Sequence, residues 1–150
     1  MASSSIERPD VRLPPTWYDG LYEAERGLWP SAAESFNAAA NRAPEDPRPY
    51  LARAVCLLRH GESEEAIVLL ETSDVFDAPD PEWRDNVSWL RAAARVAAGD
   101  YLGAENAAAS LPAPMRKQLA ATVLFKSGQW AAATTALLDR FGPRATSRTP

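Results

Sequence analysis

The chain of 150 residues is poor in the residue types that most metal sites and nucleic-acid interfaces require. It has one cysteine, Cys56, and one histidine, His60. A single cysteine excludes an internal disulfide, and one cysteine with one histidine falls short of the ligand set of a zinc site. Acidic residues outnumber basic ones by 20 to 16, which gives a formal net charge of -4. This balance argues against nucleic-acid binding, because that function normally needs a basic surface.

Long apolar runs are also absent. No stretch approaches the ~20 apolar residues of a membrane helix, and the start MASSSIERPDVRLPP lacks the apolar core of a secretory signal. We therefore expect a cytoplasmic protein without membrane insertion. Residues 1–14 and 143–150 mix Ser, Pro and charge without periodicity, which predicts two flexible tails around one domain at 15–142. Abundant Ala and the preference for Arg over Lys are typical of a bacterial genome rich in GC.

Residues that could support catalysis are isolated. Cys56 and His60 lie four positions apart and would share a helix face, but no third group completes a metal site or a nucleophile–base pair. We interpret them as a buried cysteine and a surface histidine. The acidic pair Glu64 and Glu65 is typical of a solvated helix face, and no phosphate-binding glycine loop occurs. The sequence predicts a protein that is not an enzyme and has no cofactor or metal.

The chain is rich in helical periodicity. Ala and Leu recur at intervals of three and four residues, β-branched residues are sparse, and alternating strand patterns are absent. These features predict an all-α fold that Pro and Gly divide into about eight helices. The predicted helices span about 16–27, 30–42, 48–60, 63–72, 82–98, 101–110, 114–127 and 130–141.

One hexamer pattern occurs four times, as GLWPSA, GESEEA, GDYLGA and GQWAAA. The copies begin at Gly27, Gly61, Gly99 and Gly128, and each reaches Ala five positions later. Gly suits the left-handed end of a first helix, and Ala suits a close crossing with the second helix. The Trp or Tyr two positions after Gly in three of the copies would cover the open end of this crossing. The hexamers therefore predict four helical hairpins.

The first two copies resemble the tetratricopeptide repeat, because 34 residues separate Gly27 from Gly61 and this is the period of that family. The matching residues of the first copy are Gly27, Trp29, Ala32, Phe36, Ala39 and Pro44. Those of the second are Tyr50, Ala54, Leu57, Gly61, Ala66 and Leu70. The later copies depart from this period. The interval from Gly61 to Gly99 has extra residues around SDVFDAPD, and the interval from Gly99 to Gly128 is too short, which implies a shortened helix near 101–110.

The resemblance implies a right-handed superhelical solenoid of antiparallel hairpins, with a concave groove lined by the first helices. Carried over position by position, this groove contains Trp17, Leu21, Ala24, Leu51, Val55, Leu58, Trp89, Ala93, Val96, Met115, Gln118, Thr122 and Phe125. Such an apolar groove implies another protein as partner, contributing an amphipathic helix or an apolar peptide. The carboxylate clamp of chaperone-linked relatives needs Lys and Asn where this chain has Trp17 and Leu21, so we exclude that ligand.

Two further interpretations of these stripes stay open. The first helix of the third hairpin has a second apolar stripe, formed by Trp83, Val87, Leu90, Ala94 and Ala97, so it is apolar nearly all round. The groove residues are then explained as core, or as a surface covered by the N-terminal tail or by a second copy of the protein. Arg53, Arg91 and Arg95 lie beside the stripes. They would form either a basic column for an acidic partner or a set of locally paired surface residues.

The expected function is therefore that of a non-catalytic interaction module, acting as an adaptor, a scaffold or a dedicated chaperone. The alternative is a self-associating structural component of a larger bacterial assembly such as a secretion system. Both hypotheses rest on the apolar stripes, and they differ in whether the stripes contact another protein or another copy of this chain.

Overall fold

The computed structural model describes residues 13–77 and 81–117, and within these ranges all regular structure is helical. Residues 113–117 are also helical and belong to the predicted helix at 114–127. Three predicted features lie outside the described residues: the rest of that helix, the helix at 130–141 and the fourth hexamer. The helices are α1 (Pro15–Glu25), α2 (Trp29–Arg42), α3 (Pro47–Arg59), α4 (Ser63–Thr72), α5 (Pro81–Ala97) and α6 (Tyr101–Ala108), with a 3-10 helix at Asp74–Phe76.

The three described hexamer glycines end the first helix of each hairpin in the left-handed conformation. Gly27, Gly61 and Gly99 have φ values of 76°, 86° and 84°. In the first turn, the Leu28 N–H donates to the Glu23 carbonyl and the Gly27 N–H donates to the Ala24 carbonyl. The other two turns repeat this pair of hydrogen bonds, which satisfies helix-terminal carbonyls in a Schellman motif. The prediction that these glycines end helices is confirmed.

Helix starts follow from residues that suit an N-terminus. Pro lies at one of the first two positions of α1, α2 and α3, where its missing N–H removes no helical hydrogen bond. The Asp46 side chain accepts from the Arg48 N–H at 3.0 Å and caps α3. The Asp100 side chain likewise caps α6 by accepting from the Gly103 N–H at 2.9 Å. These caps fix the start of the second hairpin and the start of the second helix in the third hairpin.

The helices form hairpins that stack in chain order as a solenoid. Each helix packs against the next one along the chain, and α3 also contacts α5. Small residues allow the close crossings, since Ala32 and Ala66 are completely buried and Ala104 nearly so. The helix predicted near 101–110 is short, as expected, because α6 has only eight residues.

The described part of the excess segment after α4 contributes one residue to the core. The short 3-10 helix buries Phe76, whose ring packs edge-on against Tyr50 with a centroid distance of 6.0 Å. The sequence located the insertion at SDVFDAPD but did not predict that it contributes a core aromatic. The longer second interval therefore adds packing between α3 and the segment that precedes α5.

The hexamer aromatics behave differently in two hairpins. Trp29 is half-buried, and the guanidinium of Arg59 on α3 lies 4.8 Å from its ring centroid, so this ring contacts the next hairpin, and its covering of its own hairpin stays a prediction. Tyr101 is instead 59% exposed. The prediction of a covering aromatic is therefore wrong for the third hairpin.

Candidate functional site

The predicted groove residues occupy equivalent turns of the three first helices. Trp17 of α1, Leu51 of α3 and Trp89 of α5 each lie ten positions before a hexamer glycine. The next groove positions follow at intervals of four and three residues, so each set lies on one side of its helix. We call this set of surfaces on α1, α3 and α5 the inner face.

The structure places most of the inner face in the hydrophobic core. The eight buried residues of the predicted groove are Trp17, Leu21, Ala24, Leu51, Val55, Leu58, Trp89 and Ala93. Val96 of α5 and Met115 of the helical residues 113–117 are half-buried, and Gln118, Thr122 and Phe125 lie outside the described residues. The burial agrees with the core interpretation that the sequence left open, and contact of a partner with these residues stays a prediction.

Buried polar donors interrupt this apolar surface. Among the described residues, the indole N–H groups of Trp17 and Trp89 and the Nδ2 amide of Asn86 are buried without a hydrogen-bond acceptor. An unsatisfied buried donor costs about 1–3 kcal/mol, so three of them are expensive to keep in a stable core. Asn86 lies one turn before Trp89 on α5 and is 1% exposed. The inner face thus offers donors as well as apolar contacts.

Sequence reasoning selected the two tryptophans of this donor set but not Asn86. The signal was available, since Asn86 lies between Trp83 and Trp89 on a helix that is apolar nearly all round. A polar residue in such a position is buried, and a buried amide needs hydrogen-bond partners. The second apolar stripe of α5 is also in the core, because Val87 and Leu90 are buried.

The three arginines beside the stripes are paired locally. Arg53 lies 3.2 Å from Glu65, and Arg91 donates from Nε and Nη2 to the Leu70 carbonyl at 3.1 and 2.8 Å. Arg95 contacts Asp100 at 3.0 Å and Glu71 at 3.5 Å. These contacts match the interpretation as locally paired residues, with carboxylate partners for Arg53 and Arg95 and a backbone carbonyl for Arg91.

The Asp100 carboxylate is fixed by two neighbours. The backbone N–H of Gly103 and the guanidinium of Arg95 both donate to it and lower its pKa, with the backbone hydrogen bond as the larger cause. Because Asp100 also caps α6, its charge favours the start of that helix. These contacts are those of a helix N-cap joined to a surface ion pair.

Cys56 and His60 do not form a reactive pair. Burial, and to a lesser extent the charge of Glu23, raises the pKa of the Cys56 thiol to about 12, while His60 is exposed at the end of α3. The thiol is therefore protonated at neutral pH and is a poor nucleophile. Within residues 13–77 and 81–117, no three His, Cys, Asp or Glu side chains form a group that could hold a metal ion.

Comparison with known proteins identifies the repeat. Residues 24–90 match the family model described as Tetratricopeptide repeat, a range that includes the Gly27 and Gly61 turns. No curated protein and no solved structure matches the chain. In the part of the chain that the structure describes, no helix combines the length and apolar character needed to span a bilayer.

Proposed function

This chain is a tetratricopeptide-repeat-like protein, and from that premise we propose that it binds another polypeptide as an adaptor, a scaffold or a dedicated chaperone, without catalysing a reaction. Tetratricopeptide repeats generally mediate protein–protein interactions, and the family match covers the two hairpin turns with the regular spacing. We also propose a cytoplasmic and bacterial setting, which rests on composition alone. A role as a secretion chaperone is the most specific form of this hypothesis.

The proposed partner segment is an extended apolar peptide that contacts the inner face. The unpartnered donors of Trp17, Asn86 and Trp89 carry this proposal. An extended peptide supplies free backbone carbonyls together with apolar side chains, whereas a helix has already used most of its carbonyls internally. The buried donors therefore favour an extended segment over the amphipathic helix that the sequence left equally open.

The burial of the inner face determines where such a segment would first bind. Trp17 is 0% exposed and Trp89 is 2% exposed, so a peptide must displace neighbouring side chains before it reaches their N–H groups. Val96 and Met115 are half-buried, and we propose that they form the first contact. Binding that needs such a rearrangement is slower than ordinary protein association at about 10⁵–10⁷ M⁻¹s⁻¹.

Self-association remains the second candidate, and exposed apolar residues favour it. Tyr101 and Leu102 at the start of α6 are 59% and 70% exposed. Adjacent exposed apolar side chains of this kind are frequent in contacts between subunits. Light scattering across a range of protein concentrations separates the two functions. A dimer or larger oligomer that persists on dilution and dissociates in Leu102→Glu would favour self-association, and a monomer would favour the partner-binding module.

Affinity capture from a lysate of the source cells tests the proposed partner binding. We expect one stoichiometric polypeptide with the unsubstituted chain and a large loss with the double variant Val96→Glu, Met115→Glu. The control for a surface Val→Glu substitution is Val68→Glu, because Val68 is 58% exposed on α4 and lies off the inner face. Equal capture by all three proteins would contradict binding at the inner face, and circular dichroism would establish that each variant is folded.

A further inference from the structure

A cavity of about 340 Å³ lies away from the inner face, between α2, α3 and α4. Its floor is apolar and consists of Ala33, Cys56 and Leu57, all three buried. We call this feature the outer cavity. Ligand pockets span roughly 300–1,000 Å³, so its volume suits one long side chain better than a large ligand.

The rim of the outer cavity carries excess negative charge. Glu34, Glu62 and Glu65 line it, whereas its only lining guanidinium among the described residues is Arg53. Arg53 is already paired with Glu65 at 3.2 Å. Glu34 and Glu62 are exposed and have no side-chain partner in the part of the chain that the structure describes. Two carboxylates therefore stand beside an apolar floor, and the one guanidinium that lines the cavity in the described part of the chain is paired with a third.

The wall of the outer cavity contains an aromatic ring that already contacts a guanidinium. Trp29 lines the cavity, and Arg59 of the neighbouring helix α3 lies 4.8 Å from the centroid of this ring. Trp is the aromatic side chain that binds cations best through its face. The apolar floor and the carboxylate rim, beside a ring that already holds one guanidinium, are together complementary to an arginine, whose aliphatic stem packs on apolar surface while its planar head pairs with carboxylates.

We propose that the outer cavity binds an arginine side chain presented by an exposed segment of a partner protein. The stem lies over Ala33 and Leu57, and the guanidinium donates to the carboxylates of Glu34 and Glu62. Charged hydrogen bonds of this kind are stronger than neutral ones and favour arginine over lysine through their planar geometry. The proposal does not rest on peptide binding at the inner face, because the two surfaces share no residue.

Nuclear magnetic resonance titration of the full chain tests this proposal without knowledge of the partner. The probe is the peptide acetyl-Ala-Arg-Ala-amide, and the control probe replaces Arg with citrulline, which has nearly the same shape but no charge. We expect the arginine peptide to shift the indole N–H signal of Trp29 and the backbone signals around His60. The citrulline peptide should leave both sets of signals unchanged at the same concentrations.

A charge-matched pair of variants tests which carboxylates bind the peptide. Glu34→Gln with Glu62→Gln should weaken arginine-peptide binding by roughly tenfold or more, because two charge-assisted hydrogen bonds are lost. Glu64→Gln with Glu105→Gln removes the same charge from exposed residues outside the cavity and should change binding by less than about twofold.

Three results would overturn the proposal. The first is equal weakening by both double variants, which would reveal non-specific attraction to an acidic protein. The second is equal binding of the citrulline peptide. The third is the absence of shifts at Trp29 and His60 in the unsubstituted chain, a result that is independent of whether any variant folds.

Discussion

Substitution of Gly20 by alanine tests the packing of the first hairpin. Gly20 is buried in α1, and a Cβ atom at this position would lie 2.5, 2.7 and 2.8 Å from the Cε1, Cδ1 and Cζ atoms of Phe36. Carbon atoms in favourable contact are about 3.5–4.0 Å apart. The Phe36 ring has little room to move, since it is completely buried and packs against Trp17 with a centroid distance of 5.2 Å.

Two opposing effects determine the magnitude. Alanine inside a helix is more favourable than glycine by about 0.5–1 kcal/mol, because glycine loses more backbone entropy on folding. Overpacking of a core costs about 1–3 kcal/mol, and three ring atoms well inside contact distance place this site near the upper limit. We expect Gly20→Ala to lower the free energy of unfolding by about 2 kcal/mol and the Tm by roughly 5 °C.

Urea unfolding followed by circular dichroism measures this loss, and a double-mutant cycle assigns its cause. Phe36→Leu removes the ring atoms that the new methyl group would meet. In that background, Gly20→Ala should be neutral or stabilising, so the two substitutions should couple by about 2 kcal/mol. A variant with Gly20→Ala alone that is more stable than the unsubstituted chain would refute the close packing of Gly20 on Phe36.

Three further predictions concern the crossing alanine, the buried thiol and the α6 cap. Ala66→Leu should lower the free energy of unfolding by about 1–3 kcal/mol through overpacking, and an unchanged melting midpoint would contradict the crossing of α3 and α4 there. The Cys56 thiol, with its pKa raised to about 12, should resist a thiol-specific reagent at neutral pH until the chain is unfolded in urea, and rapid labelling of the folded chain would contradict its burial. Asp100→Ala should lower the Tm above pH 4 but not in stronger acid. The reason is that a carboxylate with a folded pKa below its ordinary 3.8 contributes stability above that value and loses it as pH falls through the folded pKa. A Tm difference that is the same at every pH would exclude this charge effect.

The hairpins could be predicted from sequence because local rules decide them. Glycine adopts positive φ without strain, so Gly27, Gly61 and Gly99 predict the ends of α1, α3 and α5. Helix starts are equally local, since Pro and Asp act within one turn of their own position. The main helices of the described ranges are therefore close to the predicted ones.

The environment of each stripe could not be predicted in the same way. The resemblance to the tetratricopeptide repeat implies that Trp17, Leu51 and Trp89 occupy equivalent positions on their helices, but their burial depends on contacts with segments distant along the chain. Likewise, Arg91 can donate to the Leu70 carbonyl only because the C-terminal part of α4 lies beside α5. Phe76 is buried only because the inserted segment after α4 forms a 3-10 helix. These features result from tertiary contacts, which produce no periodic pattern in the sequence.

Site-specific photo-crosslinking is the most direct test of partner binding at the inner face. A benzophenone amino acid would replace Val96 or Met115, the half-buried residues of the predicted groove, or Val68 on the exposed side of α4, and each protein would be irradiated in a lysate of the source cells. We predict an adduct with the same single polypeptide from positions 96 and 115 and none from position 68. An adduct from position 68 alone, or no adduct from any of the three, would contradict the proposed binding surface.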